Sequence, residues 1–288
     1  MKTGKLLVIV AVLSMSVSAF AADAGLFGGA GYTFWTDYMW RGINMTQLIG
    51  NNKGGGANQM VYKAGVDVAD LGKVGVSLEQ VYFCRWDDTG ASLAFTNMNV
   101  FIKGQIDGVE GEWTVGYGSH VWRNLLQRDG RNARSEEFYG TYSFSDACLW
   151  QGLTGQQTGN ILNPSVTYLV DTNKADGGGL LILNLSHPMD MAQVDPAMTG
   201  ITIAPTFTMA IDHRYYGSYL SNVFGAEDIR DTTKIGYMDY GVRAMADLTD
   251  MVGLTAGRLG LTAGIGYLDG VVLSDAKWYG TAGLAYNF

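Results

Sequence analysis

Apolar and polar positions alternate along much of this chain with a period of two. In the last stretch one parity carries Trp278, Gly280, Ala282, Leu284, Tyr286 and Phe288. The other carries Lys277, Tyr279, Thr281, Gly283, Ala285 and Asn287. Just before it, Leu259, Leu261, Ala263, Ile265 and Tyr267 alternate with Gly260, Thr262, Gly264 and Gly266. Successive side chains of an extended strand point to opposite sides, so this period marks strands with two unlike faces. The pattern recurs around Tyr62–Val68, Val74–Leu78, Trp113–Tyr117, Ile201–Ile211 and Met238–Ala246. It predicts twelve strands, near 27–41, 58–70, 73–84, 93–105, 110–121, 136–145, 164–171, 179–187, 201–213, 233–247, 256–268 and 276–288. Several reach ten residues, enough to cross an outer membrane at a tilt.

Composition decides what the apolar face meets. The chain is 47% hydrophobic and 16% charged, against about 25% charged in ordinary soluble domains. It holds 40 glycines and 4 prolines. The face opposite the apolar one is glycine and threonine rather than charge, so the apolar face suits lipid. Beyond residue 22 no apolar run reaches the roughly 18 residues of a membrane-spanning helix. The expected fold is all-β: a transmembrane, antiparallel, up-and-down β-barrel of about twelve strands. Closure follows from the solvent, because each unpaired backbone group in hydrocarbon costs several kcal/mol and an open sheet has two bare edges.

The N-terminus supplies the route. Lys2 and Lys5 precede an apolar run from Leu6 to Met15, and Ala19-Phe20-Ala21 forms a small-x-small cleavage site. Residues 1–21 therefore read as a cleaved signal peptide, with 22–288 as a single barrel domain in the outer membrane of a Gram-negative cell. An even strand count places both barrel ends on the periplasmic side. The turns at 70–72 and 106–111 are then periplasmic, and 42–57, 122–135 and 214–232 face outward. Two periplasmic segments, 146–163 and 188–200, are longer than the rule for such turns, and the first reads as a long turn. Tyr38, Trp40, Tyr82, Trp122, Tyr215, Tyr216 and Trp278 fall at outer strand ends, and Trp113, Tyr286 and Phe288 at inner ends, as aromatic girdles would.

Charge changes the picture where it faces inward. The parity opposite the lipid face carries Lys63, Asp67, Glu79, Lys103, Glu112, Asp239, Arg243 and Asp247. On the first strand, Asp37 and Arg41 share the face of Thr33. They stand about 13 Å apart along a strand, so each needs a partner elsewhere, and Lys277 or Lys63 is expected to pair with Asp37 across the seam. Such a lumen could be a wet channel or a salt-bridged plug. The outer loop 123–134 carries Arg123, Arg128, Arg131 and Arg134. These could set an anion preference, contact lipopolysaccharide phosphates, or neutralise Glu227, Asp228 and Asp231 on a neighbouring loop. The net charge of −8 excludes nucleic acid as a partner. Cys84 and Cys148 are predicted at opposite ends of the barrel, about 25 Å apart. A disulfide needs Cα atoms within roughly 7 Å, so none is expected. No residue spacing suggests a metal site or a cofactor.

Two resemblances add to this reading. The alternating C-terminus ending in Tyr286-Asn287-Phe288 resembles the terminal signal of bacterial outer-membrane barrels, which implies recognition of Tyr286 and Phe288 by the barrel-assembly machinery. The segment "TDYMWRGINMTQ", 36–47, resembles the S-D-Y-x-x-R-G-x-S-x-T signature of the TorF-type family of porin-like proteins. Asp37, Tyr38, Arg41, Gly42 and Thr46 match, whereas Thr36 and Asn44 stand where that family has serine. "AGVDVADLGKVGVSL" and "NPSVTYLVDTNKADGGG" are similar in style to later strands of the family. The resemblance implies a monomeric outer-membrane barrel with a pore function and no defined solute.

The expected function is thus a channel for passive diffusion of small polar or anionic solutes, with lipid, lipopolysaccharide and the assembly machinery as partners. A barrel enzyme is the rival class, with His120 or the Asp212-His213 pair at the outer rim, but no nucleophile is identified and no catalytic residue is assigned. A structural or adhesive barrel without a pore is the third.

Overall fold

The computed structural model describes residues 25–41, 43–46, 56–69, 71–84, 91–106, 109–126, 132–155, 160–173, 175, 177–216, 234–270 and 276–288. The expected signal peptide, 1–21, lies outside them. So do Arg128 and Arg131, and Glu227, Asp228 and Asp231.

Among the described residues twelve long strands form one antiparallel sheet. They are β1 (Leu26–Trp35), β2 (Ala57–Val68), β3 (Gly72–Cys84), β4 (Ala91–Ile106), β5 (Val109–Leu126), β6 (Asn132–Phe144), β7 (Ser165–Asp171), β8 (Gly179–Ser186), β9 (Ile201–His213), β10 (Lys234–Asp247), β11 (Arg258–Gly270) and β12 (Lys277–Asn287). Each pairs with its sequence neighbours, and β12 returns to β1, so the sheet closes. At the seam Gly29 faces Asn287 and Trp35 faces Thr281. Two further backbone bonds extend it: Phe288 N–H donates to Gly28 O at 2.9 Å, and Gly28 N–H donates to Phe288 O at 3.0 Å. The last residue is thereby held in the wall.

The alternation sorts as expected. Val76, Val100, Val115, Val242, Ile265 and Trp278 lie on the outside, with Trp278 64% exposed. Their opposite parity faces a lumen. Apolar side chains exposed in a continuous band on a closed sheet are what a bilayer accepts and water does not. The architecture is a closed twelve-strand antiparallel β-barrel of the outer-membrane type.

The first strand is shorter than its pattern. It was expected to run through residue 41, but β1 ends at Trp35. Thr36 ties off the strand: its N–H donates to Gly280 O at 2.9 Å, and its Oγ1 accepts from Gly280 N–H at 2.8 Å. The chain then turns into the barrel, so Asp37 and Arg41 do not share a strand face with Thr33.

The two long periplasmic segments have structure of their own. The first holds a helix, α1 (Ala147–Thr154), which ends where Gly155 takes a left-handed φ of 69° and donates to Gln151 O. Asp146 organises this segment. Its carboxylate accepts from Leu162 N–H at 2.6 Å, Ile161 N–H at 2.9 Å and Trp150 Nε1–H at 2.6 Å. Burial pushes the Asp146 carboxyl up, but the Leu162, Trp150 and Ile161 bonds outweigh it and hold the group below the usual carboxylate value. A depressed folded value stabilises the protein above the unfolded pKa, and that contribution is lost as pH falls through the folded one. Asp146→Asn is expected to lower the unfolding midpoint at neutral pH and to narrow the gap between neutral and acid midpoints, as circular dichroism melts in detergent will record. The second segment runs through two 3₁₀ turns, each opened by an aspartate that accepts from the backbone two residues on: Asp190 from Ala192 and Asp195 from Ala197.

Cys84 ends β3 at the outer rim, and Cys148 lies in α1 at the inner rim.

Candidate functional site

After β1, Met39–Trp40 and Ile43–Asn44 pair as a small antiparallel hairpin inside the barrel. Met39 pairs with Asn44 and Trp40 with Ile43, and Arg41 stands at the turn between them. Such turns need positive φ at their central residues, and Arg41 adopts 49°. An arginine there costs about 1–2 kcal/mol relative to a right-handed conformation, so its side chain must be held. Its guanidinium lies 4.6 Å from the Trp40 ring and 5.4 Å from the Tyr215 ring. It donates to Glu137 Oε1 on β6 and to the Tyr215 hydroxyl. The Tyr216 hydroxyl in turn donates to Arg41 O at 2.5 Å.

The other residues that match the TorF-type signature belong to the same hairpin. Thr46 Oγ1 accepts from Tyr38 N–H at 2.7 Å, and Met45 N–H donates to Tyr38 O at 2.9 Å, which closes its base. Tyr38 donates its hydroxyl to Glu79 on β3 at 2.7 Å. Asp37 accepts from Lys277 Nζ on β12 at 2.8 Å and from Asn44 Nδ2 at 3.1 Å. The partner proposed for Asp37 on sequence grounds is present, although the geometry that brings it there is a hairpin and not a strand.

Around this hairpin the outer end of the lumen is packed. Tyr38, Trp40, Met45, Phe95, Trp122, Tyr215 and Tyr216 are buried together. Trp40 meets Trp122 edge-on at 5.2 Å, and Phe95 lies 4.1 Å from Trp122. Asp212 presents the tyrosine pair by accepting from the N–H groups of Tyr215 and Tyr216 at 2.8 and 3.2 Å. Gly236 leaves room for Tyr216, since a Cβ there would come within 2.6 Å of the ring. Tyr38, Trp40, Trp122, Tyr215 and Tyr216 are therefore a core inside the mouth and not an interfacial girdle. Trp278 does face outward.

Beneath the core lies an unfilled lumen. Trp35 and Tyr279 stack with centroids 5.7 Å apart and form its roof. Together with Gln59, Thr33, Thr202, Thr262, Thr281 and Arg243 they line a cavity of about 420 Å³. Most of the charged lumenal residues predicted from sequence are engaged. Glu79 accepts also from Gln59 at 2.7 Å and Asn97 at 3.4 Å. Lys103 pairs with Glu112 at 2.6 Å, Lys73 approaches Asp67 at 4.0 Å, and Asp239 accepts from the Tyr279 hydroxyl at 2.7 Å. Lys63 and Arg243 form no ion pair among the described residues.

Of the four loop arginines, Arg134 has a described side chain. It is exposed, pairs with Glu136 at 2.7 Å, and stands on the parity opposite the buried Ser135 and Glu137. It faces away from the lumen. The histidines do not gather: His120 is enclosed in the mouth core beside Trp40, His213 is exposed at the outer rim, and His187 contacts Ile161 O at the inner rim. Among the described residues no group of three His, Cys, Asp or Glu side chains could hold a metal ion.

The closed wall, apolar exterior and partly filled polar lumen define an outer-membrane β-barrel. No known protein family and no curated protein matches the chain. Among solved structures it is similar to an outer-membrane channel from Pseudomonas putida F1 (9% identity, 92% of this chain and 96% of that one, TM-score 0.48). It is similar also to the translocator domain of the autotransporter NalP from Neisseria meningitidis (12% identity, 100% and 98%, TM-score 0.37) and to OccK5 of Pseudomonas aeruginosa (8% identity, 92% and 67%, TM-score 0.37). Likeness at such identities carries nothing about solute or activity.

Proposed function

We propose that this chain is an outer-membrane channel for passive diffusion of small polar or anionic solutes, closed at its outer mouth by the 37–46 hairpin. One observation carries the reading. The lumen is divided into an aromatic seal above and a cavity of about 420 Å³ below, where Thr33, Thr202, Thr262, Thr281 and Arg243 stand among apolar lining residues. Barrels of about eight strands are just wide enough for side chains to fill; this twelve-strand one leaves a cavity in its lower lumen. The described ties between hairpin and wall are hydrogen bonds, ion pairs and ring contacts, so the seal can part without covalent change. A monomer is what the resemblance of the 36–47 segment to the TorF-type family implies. Arg134, facing outward at the outer rim, serves contact with anionic lipopolysaccharide headgroups. Phe288, seated in the seam, serves recognition by the barrel-assembly machinery.

Purified protein in a planar bilayer tests the reading. Stepwise conductance with long closures is the expected result. A silent bilayer, with insertion of folded protein shown by heat-modifiable mobility, would overturn it.

A further inference from the structure

Below the seal, the lumenal side chains form rows across strands that can be read from the pairing. Trp35, Thr281, Gly264, Arg243 and Ala204 are consecutive partners on β1, β12, β11, β10 and β9. The next row toward the periplasm is Thr33, Gly283, Thr262, Met245 and Thr202. Arg243 is thus flanked by Gly264 and Ala204, which leave its guanidinium unobstructed. A Cβ on Gly264 would meet Thr281 Oγ1 at 2.9 Å and Arg243 Cγ at 3.4 Å. A Cβ on Gly283 would meet Thr33 Oγ1 at 2.9 Å and Thr262 Oγ1 at 3.0 Å. The glycines therefore keep open a space ringed by three threonine hydroxyls and one arginine.

Arg243 forms no ion pair among the described residues. The carboxylate on the same face of its strand, Asp239, is within electrostatic reach of Arg243 but forms no ion pair with it, and accepts instead from the Tyr279 hydroxyl at 2.7 Å. Trp35, in the same row, and Tyr279, one inward-facing row nearer the mouth, stack with each other and bring apolar rings to the cavity. An arginine presents paired N–H groups matched to a carboxylate. The volume of about 420 Å³ falls within the range of small-molecule sites, roughly 300–1,000 Å³.

We infer that this part of the lumen is a binding site for a small organic monocarboxylate with an aromatic or flat apolar body. The carboxylate pairs with Arg243 and accepts from the threonine hydroxyls, and the body packs against Trp35 and Tyr279. A single cation selects a single charge. The site deepens the channel reading and rests on it, as the station at which such a solute pauses before the seal.

Calorimetric titration of the detergent-solubilised chain with benzoate, and with the neutral isostere benzamide, tests the site without requiring conduction. Benzoate is expected to bind and benzamide to bind at least tenfold more weakly, the scale of a lost charge-assisted hydrogen bond. Arg243→Gln should cost benzoate roughly tenfold, with Arg243→Lys between. Thr281→Val, away from the charge, should weaken benzoate by a smaller factor. Equal binding of the two probes, no benzoate binding, or full retention in Arg243→Gln would overturn the site, provided heat-modifiable mobility shows each variant folded. Conductance without benzoate binding would remove the site and leave the channel. Arg243-dependent binding in a silent barrel would leave the site and remove the channel.

Discussion

Arg41→Ala is expected to hold the channel open. The substitution removes the one described cation from the mouth core and leaves Glu137, whose side chain is 5% exposed, buried beside apolar rings. Breaking a buried ion pair by deleting one partner costs about 3–5 kcal/mol, because the remaining carboxylate must be protonated or hydrated. The wall has no reason to yield, since its backbone pairing is untouched. The hairpin does, for water reaches Glu137 as soon as residues 38–46 move aside. Recordings should therefore show open time rising by at least tenfold over the unsubstituted protein, with thermal stability of the wall retained. Adding Glu137→Gln should recover part of the closed time by removing the orphaned charge. If Arg41→Ala closes as fully as the parent, the hairpin is not the gate.

Trp122→Ala should weaken the same seal from its apolar side. Trp122 is fully buried, edge-on to Trp40 and close over Phe95. Truncating a buried tryptophan costs about 3–5 kcal/mol in transfer and cavity terms. Part of the lost contact is with the hairpin, through Trp40, so the loss should appear as protease access to that hairpin and as longer openings. Combined with Arg41→Ala the effect should be less than additive, because both substitutions release one element. Full additivity in open-state free energy would mean that Trp122 and Arg41 hold separate structures.

The wall was legible in the sequence because lipid and lumen impose a period of two on every strand. Each of the twelve predicted segments overlaps a strand, and Ile201–His213 coincides with its predicted span. The hairpin was not legible by the same rule. Tyr38 and Trp40 continue the alternation of β1, and periodicity does not distinguish an apolar residue that meets lipid from one that fills a lumen. Tyr215 and Tyr216, expected at the interface, lie in the mouth core for the same reason. A cue did exist in Trp40-Arg41-Gly42-Ile43, an apolar pair around a turn dipeptide inside what looked like a strand. The Arg41–Glu137 contact has no local signature, since 96 residues separate its members. The inward face of Arg243 could be read from parity, but its want of an ion pair needed the register of β9, β10 and β11.

The mouth hairpin follows the first strand, yet the groups that seat it lie on β3, β6 and β12 and just beyond β9. Its contacts with Tyr215 span 174 residues. Loop-closure entropy delays contacts of such separation, so the cork enters the bottle last. On the channel reading, a barrel closed before that hairpin seats would be an unstoppered tube, open to leakage until Arg41 meets Glu137.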